Sequence, residues 1–237
     1  MKKIALAFAA LLLSASASFA QEEDLTLEDI IDSPGLNYQH FGIRVSYELS
    51  APGDITYPGS ALKSSIFGNS SGFSIEGIYN IPVWKNLYIQ PGVGIYYNTY
   101  SIDKRVLDYD YEVNSASARQ WGFRIPLHIG YNYDFIPDLR IAVFTGPELN
   151  VSFRGRSHYG IGKYDVSGPL FGEDGYLNRT DVKWRFGVGA TIASTYYVAV
   201  SGAVGMCDMA RDYKTADGKI RQNMHSNLFD ITLGYNF

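Results

Sequence analysis

The chain has little cysteine, no excess of positive charge and, after its first twenty residues, no long apolar run. A single cysteine, Cys207, cannot form an internal disulfide, and we expect a small packed side chain there rather than a reactive thiol. No later segment supplies the roughly twenty consecutive apolar residues of a membrane-spanning helix, which excludes a helical membrane protein. The 20 Lys and Arg against 24 Asp and Glu form no basic stripe, so we expect no nucleic acid partner.

The first twenty residues have the three parts of a secretory signal peptide. Met1-Lys2-Lys3 is a short basic start, residues 4–13 are apolar, and Ser18-Phe19-Ala20 places small residues at the two positions that define cleavage. We therefore expect export and cleavage after Ala20. The residue directly after the cleavage site is Gln21 and not a cysteine that could accept a lipid, so we expect no lipid anchor.

Residues 21–37 form an acidic segment that we expect to lie in the periplasm, ahead of a barrel over residues 38–237. Its acidic residues lie between positions 21 and 32, which contain no Lys or Arg, and they are Glu22, Glu23, Asp24, Glu28, Asp29 and Asp32. Leu27, Ile30 and Ile31 have helical spacing and predict a short amphipathic helix that contacts the barrel or a partner. A disordered acidic tail is the alternative.

Alternation of large apolar residues with small or polar ones is the dominant pattern of the remaining chain. It occurs in eight segments, residues 41–49, 73–81, 87–97, 121–131, 139–151, 182–192, 196–205 and 229–237. A period of two places the large apolar residues on one face of a strand. The other face has Gly, Ser, Asn and unlike charges, whereas a soluble lipocalin-like barrel keeps its apolar residues inside. The sequence thus predicts an all-β, eight-stranded antiparallel up-and-down transmembrane β-barrel.

The connections between these segments alternate in length. Residues 80–86, 134–138 and 193–195 are short, while 50–69, 101–118, 154–181 and 208–227 are long. Short turns are expected in the periplasm and long loops outside, which gives periplasmic termini. Hydrocarbon offers no hydrogen-bond partner to a free sheet edge, so the first and last strands must pair. Pro91, Pro126 and Pro147 fall within predicted strands, and we expect β-bulges at these positions.

Charged residues recur on the inward face of the predicted barrel. They are Arg44, Glu48, Glu76, Arg124, His128, Arg140, Glu148, Lys183, Arg185 and Asp230. Buried charges must pair, so we predict a salt-bridge network that fills and plugs the lumen. The alternative is a gated ion path or a proton-responsive switch through His128.

Several phrases resemble a known family. They are Leu87-Tyr88-Ile89-Gln90-Pro91-Gly92-Val93-Gly94, Phe123-Arg124-Ile125-Pro126-Leu127, Gly146-Pro147-Glu148-Leu149 and Leu233-Gly234-Tyr235-Asn236-Phe237. This pattern is similar to outer-membrane β-barrel domain proteins, including the PorT-like proteins of type IX secretion, and more distantly to OmpA, OmpX and Ail-type barrels. The resemblance implies contact with outer-membrane lipid and lipopolysaccharide, and insertion by the barrel-assembly machinery, which would read Tyr235 and Phe237. It also leaves open a role as a subunit of a secretion or uptake assembly.

Barrels of this size include lipid A deacylases and palmitoyl transferases, which use a His with a Ser and an acid. Here His225-Ser226 and Ser157-His158 lie in predicted outer loops with no acid at a recognisable spacing. We therefore expect no enzyme, catalytic residue, cofactor or metal.

The predicted loop 154–181 is a candidate partner surface because aromatic side chains are typical of contact sites. Its aromatic residues are Tyr159, Tyr164, Phe171 and Tyr176. A self-packed or flexible loop is the alternative.

Overall fold

The computed structural model describes residues 40–60, 63–103, 113–136, 138–173, 175–215 and 218–237, without the side chains of residues 213–219. The predicted signal peptide, its cleavage after Ala20 and the acidic segment 21–37 lie outside the described residues and stay predictions. None of the described residues belongs to a helix long and apolar enough to cross a membrane.

Eight long strands form a closed antiparallel ring in which each strand pairs with its neighbours in the chain. They are β1 (Phe41–Pro52), β2 (Phe67–Tyr79), β3 (Leu87–Ile102), β4 (Val113–Ile136), β5 (Leu139–Ile161), β6 (Thr180–Ile192), β7 (Tyr196–Gly205) and β8 (Ser226–Asn236). β8 pairs with β1 from Gly42↔Asn236 to Pro52↔Ser226, which closes the ring. A four-residue strand, Ile81–Trp84, pairs with the start of β3. The eight strands and the predicted pairing of first with last are confirmed.

The two faces of the ring differ in the way the alternation predicts. In β1 every odd-numbered residue from Phe41 to Leu49 is exposed and every even-numbered one is buried. On the outer wall Leu233 is 63% exposed, whereas Glu48 and Asp230 inside are 0% exposed. Leu149 departs from its predicted exposure at 8%, because it lies between two half-buried cross-strand neighbours, Ile125 and Val182.

Aromatic side chains cluster on the outer wall near each end of the ring. Toward the long connections, the Tyr97 and Trp121 ring centroids lie 4.7 Å apart, and the Phe73 centroid lies 6.1 Å from that of Trp121. Toward the short turns, Tyr235 stacks edge-on with Phe237 at 5.1 Å. Exposed aliphatic residues occupy the wall between them. This is the apolar band and paired aromatic girdle of a membrane-spanning barrel.

The short connections form tight turns at the end of the ring where β1 begins and β8 ends. Ala193 (φ 50°) and Ser194 (φ 58°) are consecutive residues with left-handed backbone between β6 and β7. Such a pair is the signature of a two-residue type I′ turn, whose twist matches that of the flanking strands. At this end the Phe237 amide donates to the Phe41 carbonyl oxygen at 2.9 Å.

The predicted strand ends were wrong at the long-loop end of β4 and β5. These strands are 24 and 23 residues long, and their pairing continues as far as Val113↔Ile161. A further strand, Tyr164–Pro169, folds back onto Arg156–Ile161. Residues 154–161 are therefore strand rather than loop. Their outward positions are basic rather than apolar, so the alternation gave no sign of them.

The expectation that the three strand prolines mark β-bulges was also wrong. Pro91, Pro126 and Pro147 pair in the same register as the nearest paired residues before and after them. The register instead shifts between Phe67 and Ser70 of β2 and at Trp121 and Gly122 of β4. A proline lacks the amide donor but keeps its carbonyl oxygen, and here the ladder loses that donor without changing register.

Candidate functional site

The inward face carries a chain of buried ion pairs centred on Arg124 of β4. Its guanidinium contacts carboxylates from three other strands. The Nη2 atom lies 3.1 Å from Oε2 of Glu48, Nη1 lies 3.2 Å from Oε1 of Glu76, and Nε lies 3.1 Å from Oε1 of Glu148. Arg124 is 1% exposed, so these contacts replace its hydration.

Arg185 of β6 extends this series of ion pairs toward the β1–β8 pairing that closes the ring. Its Nε atom donates to Oε2 of Glu148 at 2.7 Å, and its Nη1 atom pairs with Asp230 of β8 and donates to Ser201 Oγ at 2.8 Å. Glu148 therefore binds both arginines, one through each oxygen. Since Asp230 is the cross-strand partner of Glu48, the two ends of this chain meet at the seam. We call Glu48, Arg124, Glu148, Arg185 and Asp230 the charge ring.

Neutral polar groups satisfy most of what the ion pairs leave over. Asn150 bridges the centre, accepting from Arg124 Nε at 2.9 Å and donating to Glu148 at 2.7 Å. Thr232 Oγ1 donates to Asp230 Oδ1 at 3.0 Å. Breaking a buried pair by removing one partner typically costs about 3–5 kcal/mol. A single substitution in the charge ring should therefore lower the stability of the barrel by an amount of this size.

Lys183 forms a second pair on the long-loop side of the charge ring. Its Nζ atom lies 3.5 Å from Oδ2 of Asp181 and 3.5 Å from Ser226 Oγ. Asp181 was not among the predicted lumen residues because it lay in the predicted loop. The observed start of β6, with Asp181 cross-strand from Asn150, brings it inside.

Three predicted members of the lumen network lie outside its ion pairs. Arg44 donates to Asn236 Oδ1 at 2.6 Å and stacks over the Tyr197 ring, with 4.0 Å from its Cζ to the centroid. His128 is buried beside Phe144, with 5.3 Å between the two ring centroids, and its Nε2 atom has no hydrogen-bond partner among the described residues.

Arg140 does not lie where the predicted lumen network placed it. It lies at the short-turn rim, where its Nε atom is 2.6 Å from Oδ1 of Asp134, and the two side chains are 20% and 47% exposed. Alternation assigns a residue to the inner face, but it does not say how far along the barrel axis that residue lies.

An apolar cluster covers the lumen at the long-loop end. Three of the four long connections and the ends of β2, β3 and β4 contribute described residues to it, and its buried members are Ile55, Phe67, Tyr100, Ile102, Ala118, Leu170, Phe171, Leu177, Met209, Ala210 and Met224. We call this cluster the apolar cap. Backbone hydrogen bonds connect the loops that carry it, as from the Asn178 amide to the Met209 carbonyl at 2.8 Å. Short apolar stretches in separate loops have no common period, so the cap could not be predicted from the alternation.

Little space remains between the cap and the charge ring. A cavity of about 10 Å³ lies there, with Met209 of the cap and Arg124 of the ring both in its lining. A single water molecule needs at least roughly that volume. At this place the cap and the charge ring thus leave space for about one water molecule.

In both candidate His-Ser pairs the serine is buried and the histidine is exposed. Ser226 is 0% exposed and its Oγ lies 2.7 Å from that of Ser50 inside the barrel, whereas His225 is exposed beside Asp208. Ser157 is likewise 0% exposed while its neighbour His158 is exposed. Adjacent residues of a strand point to opposite faces, so neither serine can reach its neighbouring imidazole. No cluster of three or more His, Cys, Asp or Glu suited to a metal occurs in the described part of the chain.

No family model and no curated protein matches the sequence. The resemblance to PorT-like proteins therefore stays a prediction. Solved structures that are similar include Ail, the attachment invasion locus protein of Yersinia pestis, at 10% identity over 84% of this chain and 99% of that chain, with a TM-score of 0.40. The outer membrane protein OprG from Pseudomonas aeruginosa is similar at 11% identity, over 84% and 96%, with a TM-score of 0.44. The outer membrane enzyme PagL is similar at 9% identity, over 81% and 97%, with a TM-score of 0.41.

The fold assignment comes from the ring itself. Eight antiparallel strands close without a free edge, apolar side chains cover the outer wall, and charges fill the interior. In a soluble protein so large an exposed apolar surface would be an aggregation site. The chain is an eight-stranded antiparallel up-and-down transmembrane β-barrel.

Proposed function

We propose that this protein is a non-enzymatic barrel of the bacterial outer membrane that acts as a structural or ligand-binding protein through its long-loop end. The filled lumen carries the proposal. The charge ring crosses the interior and the apolar cap closes the mouth above it, so the barrel is a support for its outer surface rather than a conduit.

The packing of the long connections supports a binding role. Tyr159 and Phe171 pack with the apolar cap, whereas Tyr164 is 78% exposed and Tyr176 is 59% exposed. Two of the aromatic residues proposed as contacts thus hold the surface in place, and two are exposed within residues 154–181, where a ligand or protein partner can contact them. A fixed scaffold reduces the entropy lost on binding.

Conductance in planar bilayers tests the filled lumen. We expect purified protein to insert and to show no steady current, because the charge ring and the apolar cap occupy the interior among the described residues. A porin inserted under the same conditions shows that insertion events are detectable. A stable, large conductance would refute the proposal and would favour a channel.

Cell fractionation tests the location. We expect the protein in the outer membrane, cleaved after Ala20. Tyr235 and Phe237 lie together on the outer wall, 45% and 61% exposed, where an assembly factor can reach them. Replacing both with serine should reduce the amount of folded barrel in the outer membrane. Unchanged insertion would remove them as the assembly signal.

Extraction in mild detergent separates a stand-alone barrel from a subunit of a secretion or uptake assembly. An isolated monomer that migrates differently before and after heating supports the present proposal. A stoichiometric complex would instead assign the protein to an assembly, with the barrel wall or the segment 21–37 as the contact.

A further inference from the structure

We propose that three exposed arginines on the outer wall, Arg119, Arg154 and Arg156, bind the phosphate groups of lipid headgroups in the outer leaflet. We call these residues the arginine patch. The inference rests on the proposed membrane location and adds a ligand class and a site to it.

A β-bulge directs two of these side chains outward. In the β4–β5 ladder Gly122 pairs with Ser152, but the next residue, Trp121, pairs with Arg154, so Phe153 is an extra residue. Before the bulge the even-numbered Asn150 and Ser152 are buried, and after it Ser157 is buried while Arg154 and Arg156 are exposed. A bulge re-aims the side chains that follow it. Without this one, both arginines would point into the apolar cap.

The bulge is held by a fourth arginine. Arg179 Nη1 donates to the carbonyl oxygens of Ser152 at 3.3 Å and Phe153 at 3.1 Å. Its guanidinium carbon lies 5.4 Å from the ring centroid of Phe171, which belongs to the apolar cap. These contacts fix the backbone that presents the patch.

The patch places like charges opposite one another. Arg119 and Arg156 are direct cross-strand partners, and the residues beyond them in the same row are Thr99 on β3 and Pro169 on the return strand. Among the described side chains, no carboxylate pairs with any of the three arginines. Like charges directly opposite destabilise a sheet. An anion bound between them reverses the sign of that contribution.

The chemistry of the patch favours phosphate. A guanidinium presents two parallel N–H donors that match two oxygens of a phosphate. Two or three guanidinium groups on neighbouring strands, whose cross-strand side chains are separated by roughly 5 Å, can bind one phosphate group together.

The position of the patch identifies the lipid headgroup as the source of that phosphate. Arg154 is cross-strand from Trp121, a member of the aromatic cluster on the long-loop side, and Arg119 is the next outward residue on β4. Aromatic girdles lie at the level of the headgroups. Phe123 and Phe153, with ring centroids 4.9 Å apart, lie on the same wall, where they can contact the acyl chains of the lipid that the patch holds.

The test uses the full-length protein in nanodiscs of zwitterionic lipid, titrated with lipopolysaccharide. The Arg119→Gln/Arg156→Gln variant should bind at least on the order of tenfold more weakly, as expected for losing charge-assisted hydrogen bonds. A charge-matched control, Lys85→Gln/Arg221→Gln, removes two exposed cations elsewhere and should bind as the wild type does. All three proteins should show the same heat-dependent change in migration, which verifies that the barrel is folded.

Two further titrations separate the sources of the anion. Dephosphorylated lipopolysaccharide should bind the wild type as weakly as the phosphorylated form binds the patch variant. Inorganic phosphate at millimolar concentration should not compete. Equal binding by variant and control would overturn the proposal, and so would competition by inorganic phosphate, which would make the patch a site for soluble anions. Because this experiment is done in nanodiscs, its failure is distinct from failure of the fractionation test of location.

Discussion

Glu148 is the residue on which the lumen depends most, because it is the only carboxylate among those described that binds both Arg124 and Arg185. It is 0% exposed and also accepts from Asn150 at 2.7 Å. Replacing it with Ala removes three contacts and leaves the positive charge of two buried arginines less compensated. From the cost of breaking a buried pair, we expect the free energy of unfolding to fall by about 3–5 kcal/mol. That is a large part of the roughly 5–15 kcal/mol that stabilises a typical folded protein.

The assay is denaturant unfolding of the refolded barrel in lipid, followed by tryptophan fluorescence. Arg140→Ala is the matched control. It breaks a partly exposed ion pair at the rim, and such pairs contribute about 0–1 kcal/mol. If Glu148→Ala and Arg140→Ala destabilise equally, the charge ring does not support the barrel as argued.

Three further substitutions test the packing. Gly122→Ala should lower the free energy of unfolding by about 1–3 kcal/mol through overpacking, because a Cβ there would lie 2.5 Å from a tyrosine ring in the lumen. Gly77→Ala should be neutral in the same unfolding assay, because its Cβ would lie no nearer than 3.9 Å to another atom. Ala193→Asn/Ser194→Gly should raise the free energy of unfolding by about 1 kcal/mol or more, since both positions have left-handed backbone, and no gain would argue against a type I′ turn. Leu170→Ala, at a position with 0% exposure in the apolar cap, should loosen the long loops by about 2–5 kcal/mol, so that limited proteolysis cuts them faster while the heat-resistant barrel is retained. Cutting at the wild-type rate would mean that the cap does not hold the loops.

The strands were predictable because each one faces two solvents of opposite polarity. Contact with lipid favours a large apolar side chain at every second position, as at Ile43, Phe123 and Leu233. The narrow lumen favours small or ion-paired side chains at the positions between them. The depth of a residue along the barrel axis has no such pattern in the sequence, since Arg44, Arg124 and Arg140 all occupy inward positions of the alternation. Only the structure shows that one stacks on a tyrosine, one joins three carboxylates and one lies at the rim.

Two features of the structure, the bulge at Phe153 and the apolar cap, occur where the two-residue alternation fails. The bulge at Phe153 changes the parity by one residue, so the alternation before it no longer applies to Arg154 and beyond. The apolar cap combines residues such as Ile55, Leu170 and Met224 from separate loops, and contacts between distant loops leave no local pattern. Both lie at the long-loop end, where the proposed binding functions also lie.

The pairing of Glu48 with Asp230 across the β1–β8 seam makes the closure of the ring depend on charges from other strands. Two carboxylates that face each other in a water-poor interior repel. The guanidinium groups that neutralise them come from Arg124 of β4 and Arg185 of β6, in the middle of the chain. The contact between the first and last strands is therefore stabilised by side chains from strands that take no part in its backbone pairing.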